Sequence, residues 1–423
     1  MNNLKSLLKG IVTILIVLFA VPSVSQTSAL KDYIRITGKI VDSETGMPIA
    51  FASVTVDNTQ TGTVANTEGE FTIQFEKSVN AKYLAFKYIG YKNKKVAIKK
   101  IPQKNFTVEL SPSVISIDEV IVRPGDAEVL IKEVLAKIPE NYGNKPYKEM
   151  AFYREYVKKK RRYVSVSEAV VEIYKAPYDK IISEDAVKLY KGHKSAKVKT
   201  QDTLIMKLRG GPKTALMLDI AKNPDILFSE DFLELYDFRI SNITNIDDRQ
   251  NYILLFKQKS NPEYPLFNGK LYIDVKTLAI TAAEFSLNLE NPEAASRIFV
   301  RKKPLFMTIR PVNTKYLVNY AEDNGIYYFS HARGEVEFEI KWKRKLFKSH
   351  YSVMTEIAIT DRTDKNVQKI PRSKQLKSNI IFDEKVVPFS DKDFWGKYNT
   401  IKPEESIEKT IKKYGVRLKI QEN

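Results

Sequence analysis

The chain contains no cysteine and only three histidines among its 423 residues. The first absence excludes disulfides, thiolate metal sites, a cysteine nucleophile and a lipid-modified N-terminal cysteine. The second leaves little for metal chemistry, because none of His193, His331 and His350 lies in an H-x-x-E or H-E-x-x-H context. His331 and Glu335 are four apart in a strand pattern, where they share a face about 13 Å from one another and form no chelate. There is no G-x-S-x-G elbow, and Arg209–Lys213 is Gly-rich without the spacing or the Lys-Ser/Thr of a phosphate loop. The adjacent carboxylates Asp247-Asp248 and Glu404-Glu405 read as turn and helix-start residues. The sequence therefore assigns no catalytic, cofactor-binding or metal-binding residue.

Long apolar runs are scarce as well. The one at Gly10–Val21 is about a dozen residues, short of the ~20 that a membrane-crossing helix needs. Lys5 and Lys9 precede it, Pro22 breaks it, and Ser23 and Ser25 offer a cleavage site before Gln26. This is the layout of a secretory signal peptide over residues 1–25, with an uncleaved anchor as the alternative, and it predicts an exported chain at the periplasm or the periplasmic face of an outer membrane. What the chain has in excess is positive charge and aromatics: 69 Lys and Arg against 51 Asp and Glu give +18, with 23 Tyr and 21 Phe. For an exported protein the available polyanions are lipid headgroups, lipopolysaccharide phosphates and acidic glycans rather than nucleic acid.

Residues 34–110 read as short alternating strands punctuated by Gly, Pro and Asn, the pattern of a β-sandwich. The run ITGKIVDSETGMPIAFASVTVDNTQTGTVANTEGEFTIQF, followed by IGY at 89–91, resembles the carboxypeptidase-regulatory-like domain. That resemblance implies a seven-stranded, transthyretin-like sandwich without catalytic residues of its own, common at the N-termini of exported and outer-membrane proteins of the Bacteroidetes type. Residues 111–125 form a linker, whose IDEVIV resembles the segment before the plug of TonB-dependent receptors. About 300 residues remain, too few for a plug, its loops and the ~220 strand residues of a 22-stranded receptor. TonB contact through 115–122 is accordingly disfavoured against a strand that docks two domains.

From 126 to 423 the reading is a large antiparallel β domain with flanking helices, so the whole chain is mainly β, α+β in class. Residues 126–142 form a helix with Ile131, Val134, Leu135 and Ile138 as its apolar stripe. Some eight or nine strands follow. In Glu335–Lys343, Val336, Phe338, Ile340 and Trp342 face one way and charged residues the other, a sheet with one wet face. NGKLYIDVKTLAITAAEFSL at 268–287 looks like the half-barrels of periplasmic lipoprotein carriers, which hold an acyl chain between sheet and helices. The alternative is a sheet packed on its own helices without a cavity. The 391–416 tail ends in a helix, with Phe394 and Trp395 either anchoring it to the sheet or forming an aromatic docking site. Together with the linker junction, this tail resembles an uncharacterised family carrying the same leading domain.

Two basic runs remain, Lys158-Lys159-Lys160-Arg161-Arg162 and the segment holding Lys341, Lys343, Arg344 and Lys345, both near predicted hairpin turns. They are candidates for contact with an anionic surface, against the plainer reading of solvated tips. The functional expectation is a non-catalytic exported accessory protein of the cell envelope, binding a protein partner or an anionic lipid or glycan. The alternatives are an acyl-chain carrier and a hydrolase with an unrecognised carboxylate site.

Overall fold

Alternation of apolar and polar residues dictates the first unit. A computed structural model describes residues 33–102, 106–113, 127–179, 183–194, 211–259, 264–300, 305–343, 346–388 and 394–409. The signal-peptide segment, residues 115–122, Arg344, Lys345 and the end of the tail helix lie outside them. Strands β1 (Tyr33–Asp42), β4 (Glu70–Glu76) and β7 (Phe106–Leu110) form one sheet in the order β4-β1-β7. Strands β2 (Ser53–Val56), β3 (Gly62–Val64), β5 (Tyr83–Lys87) and β6 (Lys94–Ala97) form the other, in the order β3-β2-β5-β6. The seven strands bury one contiguous cluster in which Phe71, Phe86 and Phe106 meet edge to face at 5.5, 6.2 and 6.1 Å. Gly38 makes that packing fit: a Cβ there would lie 2.7 Å from the Phe106 carbonyl and 2.8 Å from Phe71 Cζ.

The second unit is one open sheet. Its strands are β8 (Tyr147–Lys159), β9 (Arg162–Lys175), β10 (Ala186–Lys194), β11 (Tyr236–Ile246), β12 (Arg249–Gln258), β13 (Phe267–Asp274), β14 (Ile280–Leu287), β15 (Met307–Asp323), β16 (Ile326–Trp342), β17 (Ser349–Thr363) and the two-residue β18 (Val387–Pro388). Their order is β11-β12-β13-β14-β15-β16-β17-β8-β9-β10-β18, antiparallel throughout except for the parallel β10–β18 pair. Among the described residues the two ends of this order do not pair, so the sheet does not close into a barrel. Nine of these strands are legible in the sequence. Strand β10 is not, because it carries a bulge between Leu189 and Lys191 that breaks its alternation.

Helices cover one face. The predicted 126–142 helix divides into α1 (Ala127–Ala136) and a single turn, α2 (Ile138–Asn141), since Pro139 suits only a helix start. Leu130, Ile131, Val134 and Ile138 pack into one core with Tyr153, Val171, Phe256, Phe285 and Phe329 of the sheet, together with the short helices α3 (Gly211–Ala215) and α4 (Asp225–Phe228). Further along that face lies α5 (Pro292–Phe299), capped by Asn291, whose side chain accepts from Ala294 N, with Phe299 edge-on to Phe338 at 5.7 Å.

The sandwich and the tail cover the other face. Val64 of the sandwich joins Phe152, Val170 and Ala358 of the sheet and Ile401 of the tail in one buried cluster. Phe51 stacks on His331 at 5.7 Å, with the Arg333 guanidinium 5.0 Å over its ring. The tail runs between the two units: Asn399 accepts from Gln74 N at 2.7 Å and donates to Gln74 O at 2.9 Å, extending the sandwich edge by one reciprocal pair. Asn399→Ala strands both Gln74 backbone groups, and a loss of about 1–3 kcal/mol is expected. Urea unfolding reads it, and an unchanged midpoint would mean the tail is not held through this pair.

Candidate functional site at the basic end of the sheet

Strand pairing decides which of the sequence-marked residues meet. Because β17 pairs with β8, Tyr351 lies opposite Lys159, and Lys160 N donates to His350 O at 2.9 Å. Ser349 lies opposite Ile340 at the end of β16. The β8–β9 tip and the β16–β17 tip therefore stand at the same end of the sheet, about 10 Å apart at the usual strand spacing. The described members of the two basic runs, about 180 positions apart in sequence, thus stand at one end of the sheet. Lys160 turns the first tip in the left-handed region (φ 55°) and is exposed with Arg161 and Arg162, as are Lys341, Lys343 and Lys348. Lys158 is more committed, its Nζ 4.6 and 4.4 Å from the Tyr156 and Tyr163 rings, and Lys159 Nζ lies 5.8 Å from the Tyr351 ring. Tyr156 and Tyr163 are buried against Ile407 of the tail, which holds the β8–β9 hairpin in place.

Phe394 and Trp395 are not part of that surface. Phe394 stacks on His193 at 4.9 Å, and Trp395 stands edge-on to Phe152 at 5.5 Å. Lys191 Nζ donates to the Phe394 carbonyl at 2.6 Å. Both aromatics are half-buried against the sheet.

The titratable clusters lie elsewhere and are buried. Under the sandwich and tail, Arg154 Nε donates to Glu168 Oε1 at 2.6 Å, and His193 Nε2 pairs with Glu168 Oε2 at 2.7 Å. Beside them His331 Nε2 and Arg333 Nη1 hold Glu356 Oε1 at 3.1 and 3.2 Å, and Arg333 also donates to Glu335. Burial alone would raise both glutamates, but the neighbouring cations outweigh it and hold Glu168 and Glu356 at about 2. Under the helices, Lys175 Nζ lies 2.5 Å from both Asp185 and Asp219, while Tyr178 and Tyr320 donate to Asp219 at 2.6 and 2.9 Å. Glu149 and Glu155 on β8 are pushed up to about 8, chiefly by burial. They stand six residues apart along one strand, about 20 Å by strand rise, well beyond the ~5–9.5 Å of a glycosidase pair. Among the described residues no group of three or more His, Asp or Glu is placed to hold a metal ion, and no helix is long and apolar enough to cross a membrane.

What the sequence reading missed at the basic end is apolar. Leu305, Leu346 and Phe347 are 91, 94 and 84% exposed, and Phe306 and Ile298 are about half exposed. Leu346-Phe347 sits inside a basic run, and an apolar pair at a hairpin tip, where Gly, Asn or Asp is usual, was the available signal.

The first unit is thus two small sheets around one apolar core. Residues 36–122 match the CarboxypepD_reg-like domain family. A comparison with proteins of curated function gives no match. Among solved structures, the chain is similar to a DUF1329 family protein from Desulfovibrio piger (12% identity, 57% of this chain and 95% of that one, TM-score 0.24). It is also similar to a putative outer membrane lipoprotein-sorting protein domain from Vibrio parahaemolyticus (13%, 57% and 95%, TM-score 0.23). Lipovitellin overlaps 56% of this chain over 27% of its own length, at 9% identity and TM-score 0.25. Likenesses at TM-scores of 0.23 to 0.25 leave the reading of the site to the chain's own residues.

Proposed function

We propose that the chain is an exported, non-catalytic accessory protein of the cell envelope that binds an anionic surface with the basic end of its large sheet. The observation that carries this is the meeting of the two hairpin tips, which gathers Lys160, Arg161, Arg162, Lys341 and Lys343 in exposed positions. Most of the buried carboxylates, by contrast, are engaged by cations or hydroxyls: Glu168 by Arg154 and His193, Glu356 by His331 and Arg333, and Asp219 by Lys175, Tyr178 and Tyr320. This disfavours the hydrolase reading. The carrier reading is favoured by the open sheet with its apolar face under helices. Yet α1, α2, α3 and α4 fill much of that face with their own side chains.

The test is co-sedimentation of the exported chain with phosphatidylcholine vesicles, with and without phosphatidylglycerol. Binding is expected only with the anionic lipid and should weaken as salt is raised. The triple variant K160E/R161E/K343E is expected to bind at least ~100-fold more weakly, each lost cation near a charged membrane being worth about 1 kcal/mol and each added carboxylate being repelled. Equal binding by variant and wild type would sink the proposal. A lipid-sized adduct in native mass spectrometry of the exported chain, retained by that variant, would favour the carrier instead.

A further inference from the structure

We propose that the basic end of the large sheet inserts its apolar tips into the hydrocarbon of an anionic bilayer, with the surrounding lysines and arginines at the phosphate level. This rests on the anionic-surface reading above and names the bilayer as the surface.

The argument starts from where the apolar side chains are. Lys343 N donates to Phe306 O at 2.9 Å, so the Leu305-Phe306 pair is fixed beside the β16–β17 turn that carries Leu346 and Phe347. Ile298 on α5 is exposed at the same end, since α5 packs on β15 through Ser296 Oγ, which donates to Ile309 O at 2.7 Å. Leu346 and Phe347 lie outside all of the buried clusters, and a hairpin tip gains no stability from Leu-Phe. Both are almost wholly exposed at the end of the sheet, which suits them to enter a soft apolar phase more than to receive a rigid partner.

The charges around them select among occupants. A protein interface of this composition would place many lysines near its core, where lysine is depleted. An acidic glycan would engage the cations but offers nothing to Leu346 and Phe347. A bilayer satisfies both sets: hydrocarbon takes the tips, and lysine and arginine stems extend along it while their heads reach the phosphates. Apolar insertion joined to electrostatic attraction is the two-signal arrangement that stable peripheral attachment requires.

The absence of cysteine gives a clean experiment. Phe347→Cys supplies a single thiol for a nitroxide label, and Met47→Cys, 66% exposed on the sandwich, supplies the control. On phosphatidylglycerol-containing vesicles, the label at 347 is expected to become accessible to oxygen and shielded from an aqueous nickel chelate, and the label at 47 to stay aqueous. The unlabelled double variant L346S/F347S is expected to lose on the order of tenfold or more in vesicle affinity. Because both side chains are exposed, it should keep the wild-type melting midpoint. If the chain pellets with anionic vesicles while label 347 stays aqueous and L346S/F347S binds like wild type, insertion is wrong and the anionic-surface reading survives. If the chain does not pellet with anionic vesicles at all, both fall, and cross-linking to a protein partner at this end would say what replaces them.

Discussion

Replacing Arg154 by methionine is expected to destabilise the protein by about 3–5 kcal/mol at neutral pH, the cost of removing one partner from a buried ion pair. Arg154 is 1% exposed. Besides its bond to Glu168 it donates through Nη2 to the Ile401 carbonyl at 2.8 Å, so the same guanidinium joins β8, β9 and the tail. Its charge also lowers Glu356. In Arg154→Met, Glu168 keeps only His193, Glu356 keeps His331 and Arg333, and the Ile401 carbonyl loses its donor. The pH dependence follows from the two glutamates. Their folded values of about 2 lie below the ordinary 4.5, so their contribution is fully present above pH 4.5 and is lost as pH falls toward 2. Arg154→Met brings the folded value of Glu168 closer to the unfolded one. The gap between variant and wild type should therefore be widest near pH 7 and narrow by pH 3. Urea unfolding at the two pH values measures this, and a gap that is small at pH 7 or independent of pH would refute the assignment. Adding E168Q to R154M should cost less than the sum of the single changes, since the two residues act as one unit.

Much of the architecture could be read from one-dimensional pattern because the responsible forces are local. Residues 335–343 alternate, and the structure buries Val336, Phe338 and Ile340 while leaving Glu337 and Lys341 exposed. The sandwich strands behave in the same way. Features set by long-range pairing were not legible. Asn399 completes the edge of a strand 325 positions earlier, at Gln74, and nothing in the tail's sequence marks that. The two basic runs were visible as runs, but their union depends on β17 pairing with β8, a neighbour relation that skips all of β9 to β16. Leu346 and Phe347 illustrate a different difficulty. Sequence pattern assigns apolar residues to cores by default, and only the placement of a hairpin tip reveals two that have no core to join.

The buried ion pairs beneath the sandwich set the acid limit of stability, and Glu149 sets an opposing one. It is 1% exposed, and neither of its carboxylate oxygens has a hydrogen-bond partner among the described residues. Burial raises it to about 8, the attraction of Lys175 opposing this only in part because Asp185 and Asp219 compete for the same ammonium. A carboxyl whose folded value lies above the unfolded 4.5 holds its proton in the native state at pH values where the unfolded chain has released it. Its effect on stability is thus neutral below about pH 4.5 and increasingly unfavourable as pH rises through 8. Glu149→Gln keeps the size and hydrogen-bonding capacity of the protonated acid and removes the ionisation. The variant is expected to match wild type at pH 4.5 and to exceed it at pH 9 by about 3 kcal/mol. The ceiling on that gain is about 1.4 kcal/mol for each pH unit separating the folded value from the unfolded one. Glu155, also raised to about 8 but accepting a 2.6 Å bond from Tyr153, keeps part of the alkaline loss in the single variant. Removing that residue as well, in E149Q/E155Q, should flatten the stability curve between pH 5 and 9. Thermal unfolding across that range decides the matter. A Glu149→Gln chain less stable than wild type at pH 9 would mean that Glu149 is ionised and belongs to the Lys175 cluster, whose cation would then balance three carboxylates rather than two.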